Sequence, residues 1–356
     1  MIEDLKRSHL DKLSAYVTKL RQRPQLRRLF LELTLQCNEA CFHCGSRATR
    51  NACEQLDTAT YKRILDQVKE DFDISRLQLC ITGGEPLLRK DFFDIMGYAK
   101  QLGYHWGMTS NATLIDKEMA HRLAQAGMET ISVSIDGLRD THDRQRGLPG
   151  GYDKAMEGIQ NLIDAQAFHA IQVTTVFNHH NMNELDALFN VMDQLDIDSW
   201  RVVHLEPIGR ALLHKDMMCT KEDYVKLLDF VKEKRKQGYP IEYGCSHYLG
   251  LGYEAEVREW YWLCNAGVYT ASIMANGDIG ACLDIERRPE TIQGNILKDR
   301  LVDVWNNRFE IFRKDRTLDC EKCNACEEKQ YCRAGACHSW DYDDNQPMVC
   351  MKDILF

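Results

Sequence analysis

Three cysteines stand close together early in the chain, Cys37, Cys41 and Cys44, in the spacing C-x3-C-x2-C. Three thiolates converging from one loop can hold three irons of a cubane iron-sulfur cluster and leave the fourth iron open. Four protein ligands suit plain electron transfer, whereas an open metal position suits binding and activation of a cofactor or substrate. The competing chemistry is a zinc site completed by His43 or by a remote residue. A second cysteine group lies far downstream: Cys264, Cys282, Cys320, then Cys323-x2-Cys326-x5-Cys332-x4-Cys337, and Cys350. Fifteen cysteines in 356 residues, with no apolar secretory signal in MIEDLKRSHLDK, point to metal in a reducing cytoplasm rather than to disulfides. Cys80, inside the apolar run from Leu77 to Ile81, and Cys219 read as small buried residues without chemistry.

Other segments carry polar chemistry at regular intervals. In Thr82-Gly83-Gly84-Glu85-Pro86 the glycines let backbone approach a ligand closely, and its carbonyls can accept from an ammonium. Thr109-Ser110-Asn111 and Ser134-Ile135-Asp136-Gly137 offer short groups suited to ribose hydroxyls or a carboxylate. The run His142 to Gly147 contains Arg146, whose guanidinium is shaped for a carboxylate.

These segments need a scaffold, and the hydrophobic pattern supplies one. Short β-rich runs at 29–35, 77–81, 105–109, 130–135, 171–177 and 200–205 alternate with helical patterns near 58–71, 91–102, 116–126, 152–165, 183–195 and 221–236. Six β/α units predict a parallel sheet with helices on its outer face, curved into an incomplete barrel. Each polar segment follows or closes one of these strands, at the end where parallel barrels collect their chemistry. From residue 237 the sequence turns irregular and aromatic, and VYTASIMANGDIGACLDI predicts a hairpin about Asn276-Gly277-Asp278. After Trp305 it is cysteine-dense with little apolar material, so metal must replace burial there. The expected division is a basic helix over 1–28, the barrel over 29–236 and the cysteine module over 237–356.

The three-cysteine spacing after a first strand, with the motifs above at successive strand ends, resembles the radical S-adenosylmethionine superfamily. That resemblance implies an α/β fold, a partial (β/α)6 TIM-like barrel, holding a [4Fe-4S] cluster whose open iron is chelated by S-adenosyl-L-methionine. It implies cofactor contacts from Gly83, Gly84 and Glu85 to the methionine moiety, from Asn111, Ser134 and Arg146 to ribose or carboxylate, and from Leu205 beside adenine. The family has an aromatic residue before the third cysteine; here it is His43, with Phe42 the neighbouring ring. The downstream cysteines resemble the SPASM extension, which implies two auxiliary [4Fe-4S] clusters. Carried over, Cys323, Cys326, Cys332 and Cys350 ligate the outer cluster, and Cys264, Cys282 and Cys337 the inner one. The inner fourth position falls to Cys320, to Cys245 or to none, and the Cys332–Cys337 gap is one residue longer than the family's.

By the same resemblance, a reduced first cluster cleaves the cofactor to a 5′-deoxyadenosyl radical that abstracts a substrate hydrogen, and the auxiliary clusters accept an electron. SPASM proteins mostly modify peptides or proteins, so the first expectation is maturation of a ribosomal peptide by oxidation or cross-linking. A sulfatase-maturating enzyme is a second reading. Those place an aspartate directly after the hairpin cysteine, where this chain has Leu283 and then Asp284, its one candidate catalytic base. Oxidation of a small molecule such as a porphyrin precursor is a third, and a non-catalytic metal scaffold a fourth. A reductant such as flavodoxin or ferredoxin is implied. Cys37 comes too early for an N-terminal leader-recognition domain, which leaves leader binding to the basic first helix or to a separate protein.

Composition bounds the remaining partners. A net charge of −9 opposes non-specific attraction to nucleic acid or anionic lipid. No apolar run approaches the about 20 residues of a membrane span. Residues 1 to 30 reverse the charge trend, with eight Lys/Arg against three Asp/Glu. That stretch is either a solvated helix face or a grip for an acidic peptide.

Overall fold

The computed structural model describes residues 2–53, 56–244 and 247–355. Helix α1 spans Ile2–Gln22 and precedes the first strand. The barrel strands are β1 (Arg28–Glu32), β2 (Gln78–Thr82), β3 (His105–Ser110), β4 (Met128–Ser134), β5 (Ala170–Phe177) and β6 (Ser199–His204). Between them run α2 (Thr58–Asp71), α3 (Phe92–Leu102), α4 (Lys117–Gln125), α5 (Arg139–Arg146), α6 (Gly151–Ala165) and α7 (Leu185–Met192), and α8 (Lys221–Lys236) follows β6. The six strands pair in parallel and in chain order. Right-handed crossovers therefore place the helices on one face.

Local chemistry fixes the helix ends. Asp57 accepts from the Thr60 amide at the start of α2, and Thr220 and Asp223 form a capping box on α8. Helix α5 is the element that periodicity does not reveal. RDTHDRQR has no apolar stripe, and what it buries is polar: Thr141, His142, Gln145 and Arg146.

Along β5, Ile171, Val173, Thr175 and Phe177 are buried while the alternate residues are half-exposed. The buried set joins one core with the helices. The other face carries polar side chains that bond across strands: Gln78 to Thr130, Ser132 with Thr174, and Gln172 to Ser199. The helix-free face is thus a polar, hydrogen-bonding surface rather than a filled apolar lumen.

The sheet extends past the six expected strands at both edges. Strand β7 (Ile241–Tyr243) pairs in parallel with β6. Strand β8 (Thr270–Ile273) pairs in parallel with β1, and β9 (Asp278–Gly280) and β10 (Gly294–Asn295) follow antiparallel. The sheet runs from β10 to β7 in linear order, so it is an open barrel. The hairpin turns at Gly277 with φ +89°, a conformation glycine adopts without strain. The hairpin is locked to β1 by Glu32, which is fully buried, accepts from the Ala275 amide at 3.0 Å and pairs with Arg287.

Helix α1 docks on the cysteine module. Leu10, Val17 and Leu20 are buried, and Leu10 packs with Tyr248, Trp262 and Tyr331. Tyr331 donates to Asp11 at 2.7 Å, and Arg333 donates to the Ser14 carbonyl at 2.7 Å. Among the described residues, no helix is long and apolar enough to cross a membrane.

Candidate active site

Cys37, Cys41 and Cys44 lie in the loop that leaves β1. The thiols are close enough that Cys44 acts on the ionisation of both others, and burial pushes Cys37 up to about 11 and Cys41 well above the ordinary thiol value. Such thiols lose their protons readily only to a metal, which the donor set fits.

Four chain segments hold this loop. The backbone beyond β1 continues pairing with the segment beyond β2: Gly84 N donates to Thr34 O at 2.7 Å and Glu85 N to Gln36 O at 2.8 Å. A β-carbon at Gly83 would stand 2.3 Å from Thr34 O, and one at Gly84 2.2 Å from Gln36 O and 2.9 Å from Cys37 Cβ. The glycines therefore admit the strand that carries Cys37, a closer approach than the ligand contact expected of them. From the β6 side, Arg210 Nε donates to Cys41 O and its Nη1 to Ala48 O, both at 2.7 Å, and Arg210 N to Cys44 O at 3.0 Å. Gly209, at φ +54°, lies where a β-carbon would meet Cys44 O at 2.3 Å.

The end of α5 supplies the electrostatic clamp. Ala40 N donates to Arg146 O and Phe42 N to Gln145 O, both at 2.9 Å. The buried Arg146 donates from Nε to Asp136 Oδ2 and from Nη1 to Glu39 Oε2, both at 2.7 Å. Two of its three nitrogens are thus committed to protein carboxylates, and only Nη2 remains for the cofactor contact expected of it. The Arg146 guanidinium and His43 hold Asp136 far below the usual carboxylate range despite its burial. His43 Nε2 stands 3.2 Å from the same Asp136 oxygen, so His43 belongs to this network.

The Glu85 side chain is engaged by the protein. Its carboxylate is fully buried and accepts from Ser110 Oγ at 3.0 Å on both oxygens, from Asn111 N at 2.9 Å and from Leu87 N at 3.2 Å. The side chain ties the ends of β2 and β3 together. Burial lifts it to about 7 against the pull of those donors. Asn111 Nδ2 donates to Asn38 at 2.8 Å and approaches Cys37 Sγ at 4.0 Å, so it steadies the cysteine loop. Ser134 ends β4 on the half-exposed polar face. Leu205 is buried in a small apolar cluster on which Phe42 packs, and the Phe42 ring lies 4.9 Å from that of His214. Phe42, rather than His43, takes the packing position beside Leu205.

The hairpin brings the downstream module to this loop. A β-carbon at Gly45, next to Cys44, would stand 3.5 Å from Asp284 Oδ1, and Cys282 Sγ lies 3.9 Å from Asp284 Oδ2. Asp284 is exposed, as a base that meets substrate must be. Cys264 and Cys337 are hydrogen-bonded, and that bond, aided by Arg316, lowers Cys337 while Cys282 acts on it in the opposite sense. These three therefore form one group. Cys323, Cys326, Cys332 and Cys350 all line a second cavity of about 330 Å3. Cys320 accepts from Cys323 N at 3.5 Å, which sets it against this outer group. Cys245 lies outside the described residues.

Glu39, Arg210 and Glu32 are the residues that reading the sequence for chemistry passes over. A charged residue within an apolar run, such as Glu32 in LFLELTL, is the signal that was there to be used.

An open α/β barrel with a three-cysteine loop after its first strand, and two further cysteine groups behind it, defines an enzyme that uses a cluster to activate a bound cofactor. Residues 31–192 match the radical SAM superfamily model and residues 264–327 that of the SPASM iron-sulfur cluster-binding domain. The chain is 30% identical over 312 residues to the mycofactocin maturase MftC of Mycobacterium tuberculosis, covering 85% of this chain and 76% of that protein. It is 29% identical over 343 residues to the AdoMet-dependent heme synthase of Methanosarcina barkeri, covering 89% and 94%. Streptococcus suis SuiB, solved bound to the precursor peptide SuiA, shares its fold at a TM-score of 0.71 and 20% identity, over 92% of this chain and 76% of that one. The chain belongs to the radical SAM superfamily and carries its SPASM extension. Its cofactors are accordingly S-adenosyl-L-methionine, the radical SAM [4Fe-4S] cluster and auxiliary clusters. Cys37, Cys41 and Cys44 would hold the radical SAM cluster, which with S-adenosyl-L-methionine would supply a reductively generated 5′-deoxyadenosyl radical.

Proposed function

We propose that the enzyme oxidises a peptide substrate, withdrawing a hydrogen atom at the barrel mouth and an electron through the inner cysteine group. The carrying observation is the placement of Asp284 between Cys282 and the Cys44–Gly45 turn. A carboxylate there can take the proton that leaves with the electron, and Cys282 is its neighbour on the side away from the first cluster. The helix-free face of the sheet favours a peptide. Among its side chains Gln78, Thr130, Ser132, Gln172 and Thr174 are neutral donors and acceptors matched to backbone amides, with Arg201 and Glu242 beside them toward the β7 edge. The likeness to a mycofactocin maturase supports this reading. A flavodoxin or ferredoxin would deliver the starting electron.

A second reading, oxidation of a tetrapyrrole, is favoured by the heme synthase relatives, which match across nearly their whole length. The aspartate offset at Leu283 and Asp284 speaks against sulfatase maturation. Co-expression with cysteine-rich short peptides encoded beside the gene, read by mass spectrometry, tests the first reading. Anaerobic incubation with iron coproporphyrin, S-adenosylmethionine and dithionite tests the second. Unmodified peptides together with a converted porphyrin would replace the first by the second.

A further inference from the structure

His204 closes β6, Glu206 follows two residues later, and His247 lies beyond β7. All three are buried. His204 Nε2 stands 3.0 Å and His247 Nε2 2.9 Å from Glu206 Oε1, and one ligand atom from each residue fits within 4.8 Å of the others. These residues belong to none of the three cysteine groups.

The cluster has an unbalanced charge. Among the described residues, Glu206 Oε2 has no hydrogen-bond partner, and His204 Nε2 lacks one of acceptable geometry. Among the described residues no lysine or arginine pairs with Glu206, and its ion-pair neighbours are the two imidazoles. A buried carboxylate is ordinarily matched by a cation or bound to a metal. Burial itself disfavours the charged form of His204. Two imidazole nitrogens and a carboxylate are, in contrast, a complete protein donor set for a divalent transition metal.

The surroundings have the form of an outer shell. The Tyr243 hydroxyl hydrogen-bonds His204 Nδ1, which leaves Nε2 to point at the cluster centre. Arg258 lies 5.4 Å over the Tyr243 ring and donates to the His247 carbonyl at 2.9 Å. Tyr224 packs edge-on to His204 at 4.2 Å. Donor atoms of a tetrahedral site with bonds of about 2.0–2.1 Å stand about 3.3 Å apart, and both histidine-to-Glu206 separations, 3.0 and 2.9 Å, are within a few tenths of an ångström of that value.

We propose that His204, Glu206 and His247 form a mononuclear divalent transition-metal site, separate from the iron-sulfur clusters. It joins the β6 edge of the barrel to the cysteine module, since His247 also lines the cavity that holds Cys323, Cys326, Cys332 and Cys350. The site is structural in placement: His204 faces Tyr224 on α8 rather than the polar face of the sheet.

The test uses the full chain with its clusters reconstituted anaerobically, then equilibrated with zinc and desalted. Elemental analysis is expected to find one zinc per chain in the wild type and none in the Glu206→Gln/His247→Ala double variant, with iron content equal in the two. Equal zinc in both proteins, or no zinc in the wild type, overturns the proposal. Should the double variant fail to fold, zinc-edge X-ray absorption of the wild type decides. A shell of nitrogen and oxygen alone at about 2.0–2.1 Å supports the site, and a sulfur shell places the zinc in a cysteine group and sinks it.

Discussion

Arg146 and Glu39 lie 107 residues apart in the chain and 2.7 Å apart in space, both buried, and their contact joins the end of α5 to the cysteine loop. Asp136 completes the clamp from the end of β4. Removing the guanidinium alone leaves two buried carboxylates without the arginine cation they share, which costs about 3–5 kcal/mol. Arg146→Met is therefore expected to lose the first cluster while keeping the auxiliary ones. Iron and sulfide analysis of that variant, set against Cys41→Ala, checks this; full retention of iron would show the clamp to be dispensable.

Close backbone approach makes two glycines irreplaceable and one improvable. Gly84→Ala and Gly209→Ala drive a methyl into Gln36 O and Cys44 O, so both should abolish cofactor cleavage. Gly97, inside α3, has open space where a β-carbon would go. Gly97→Ala should raise stability by about 0.5–1 kcal/mol, read as a higher melting temperature with unchanged activity.

How much of this was legible beforehand differs by kind of residue. The β1–β6 strands and helices α2, α3 and α8 announced themselves because each buries a periodic apolar face. Helix α5 did not, since its buried residues are polar and satisfied only by partners far away in sequence. The same reason hid Glu32, whose partner Arg287 is 255 residues distant. The cysteines stand out by spacing, whereas the protein partners of the Arg146 and Glu85 side chains do not show in the sequence. Type and spacing reveal that a residue carries chemistry; they do not reveal which neighbour consumes it.

His142 sets an acid limb to stability. Burial holds its imidazole down at about 4, against an ordinary 6.5, while Nδ1 accepts from the Asp136 amide at 3.2 Å. Between those values the unfolded chain binds a proton that the native state refuses, so stability falls as pH drops from 6.5 toward 4, with a slope approaching about 1.4 kcal/mol per pH unit. His142→Gln, which keeps an acceptor for the amide, should flatten that slope. Anaerobic urea melts at pH 7.5, 6.5 and 5.5 measure it, and parallel curves for the two proteins would rule out His142 as the source.

Asp284 is proposed to act after hydrogen abstraction. Asp284→Asn should leave iron content, cofactor binding and uncoupled cofactor cleavage intact while lowering product formation by about 10²–10⁴-fold. A loss of cluster iron would instead make it a positioning residue for the Cys44 turn.

The account turns on a net oxidation, in which the cofactor removes one hydrogen atom and the auxiliary cluster that the inner cysteines would hold takes the second electron. The most direct measurement is the ratio of 5′-deoxyadenosine to product, with the mass change of the product, in anaerobic turnover of the reconstituted enzyme. One 5′-deoxyadenosine for each substrate molecule oxidised by two electrons is the predicted result. Product formed with no change in oxidation level, the cofactor being regenerated rather than consumed, would contradict it.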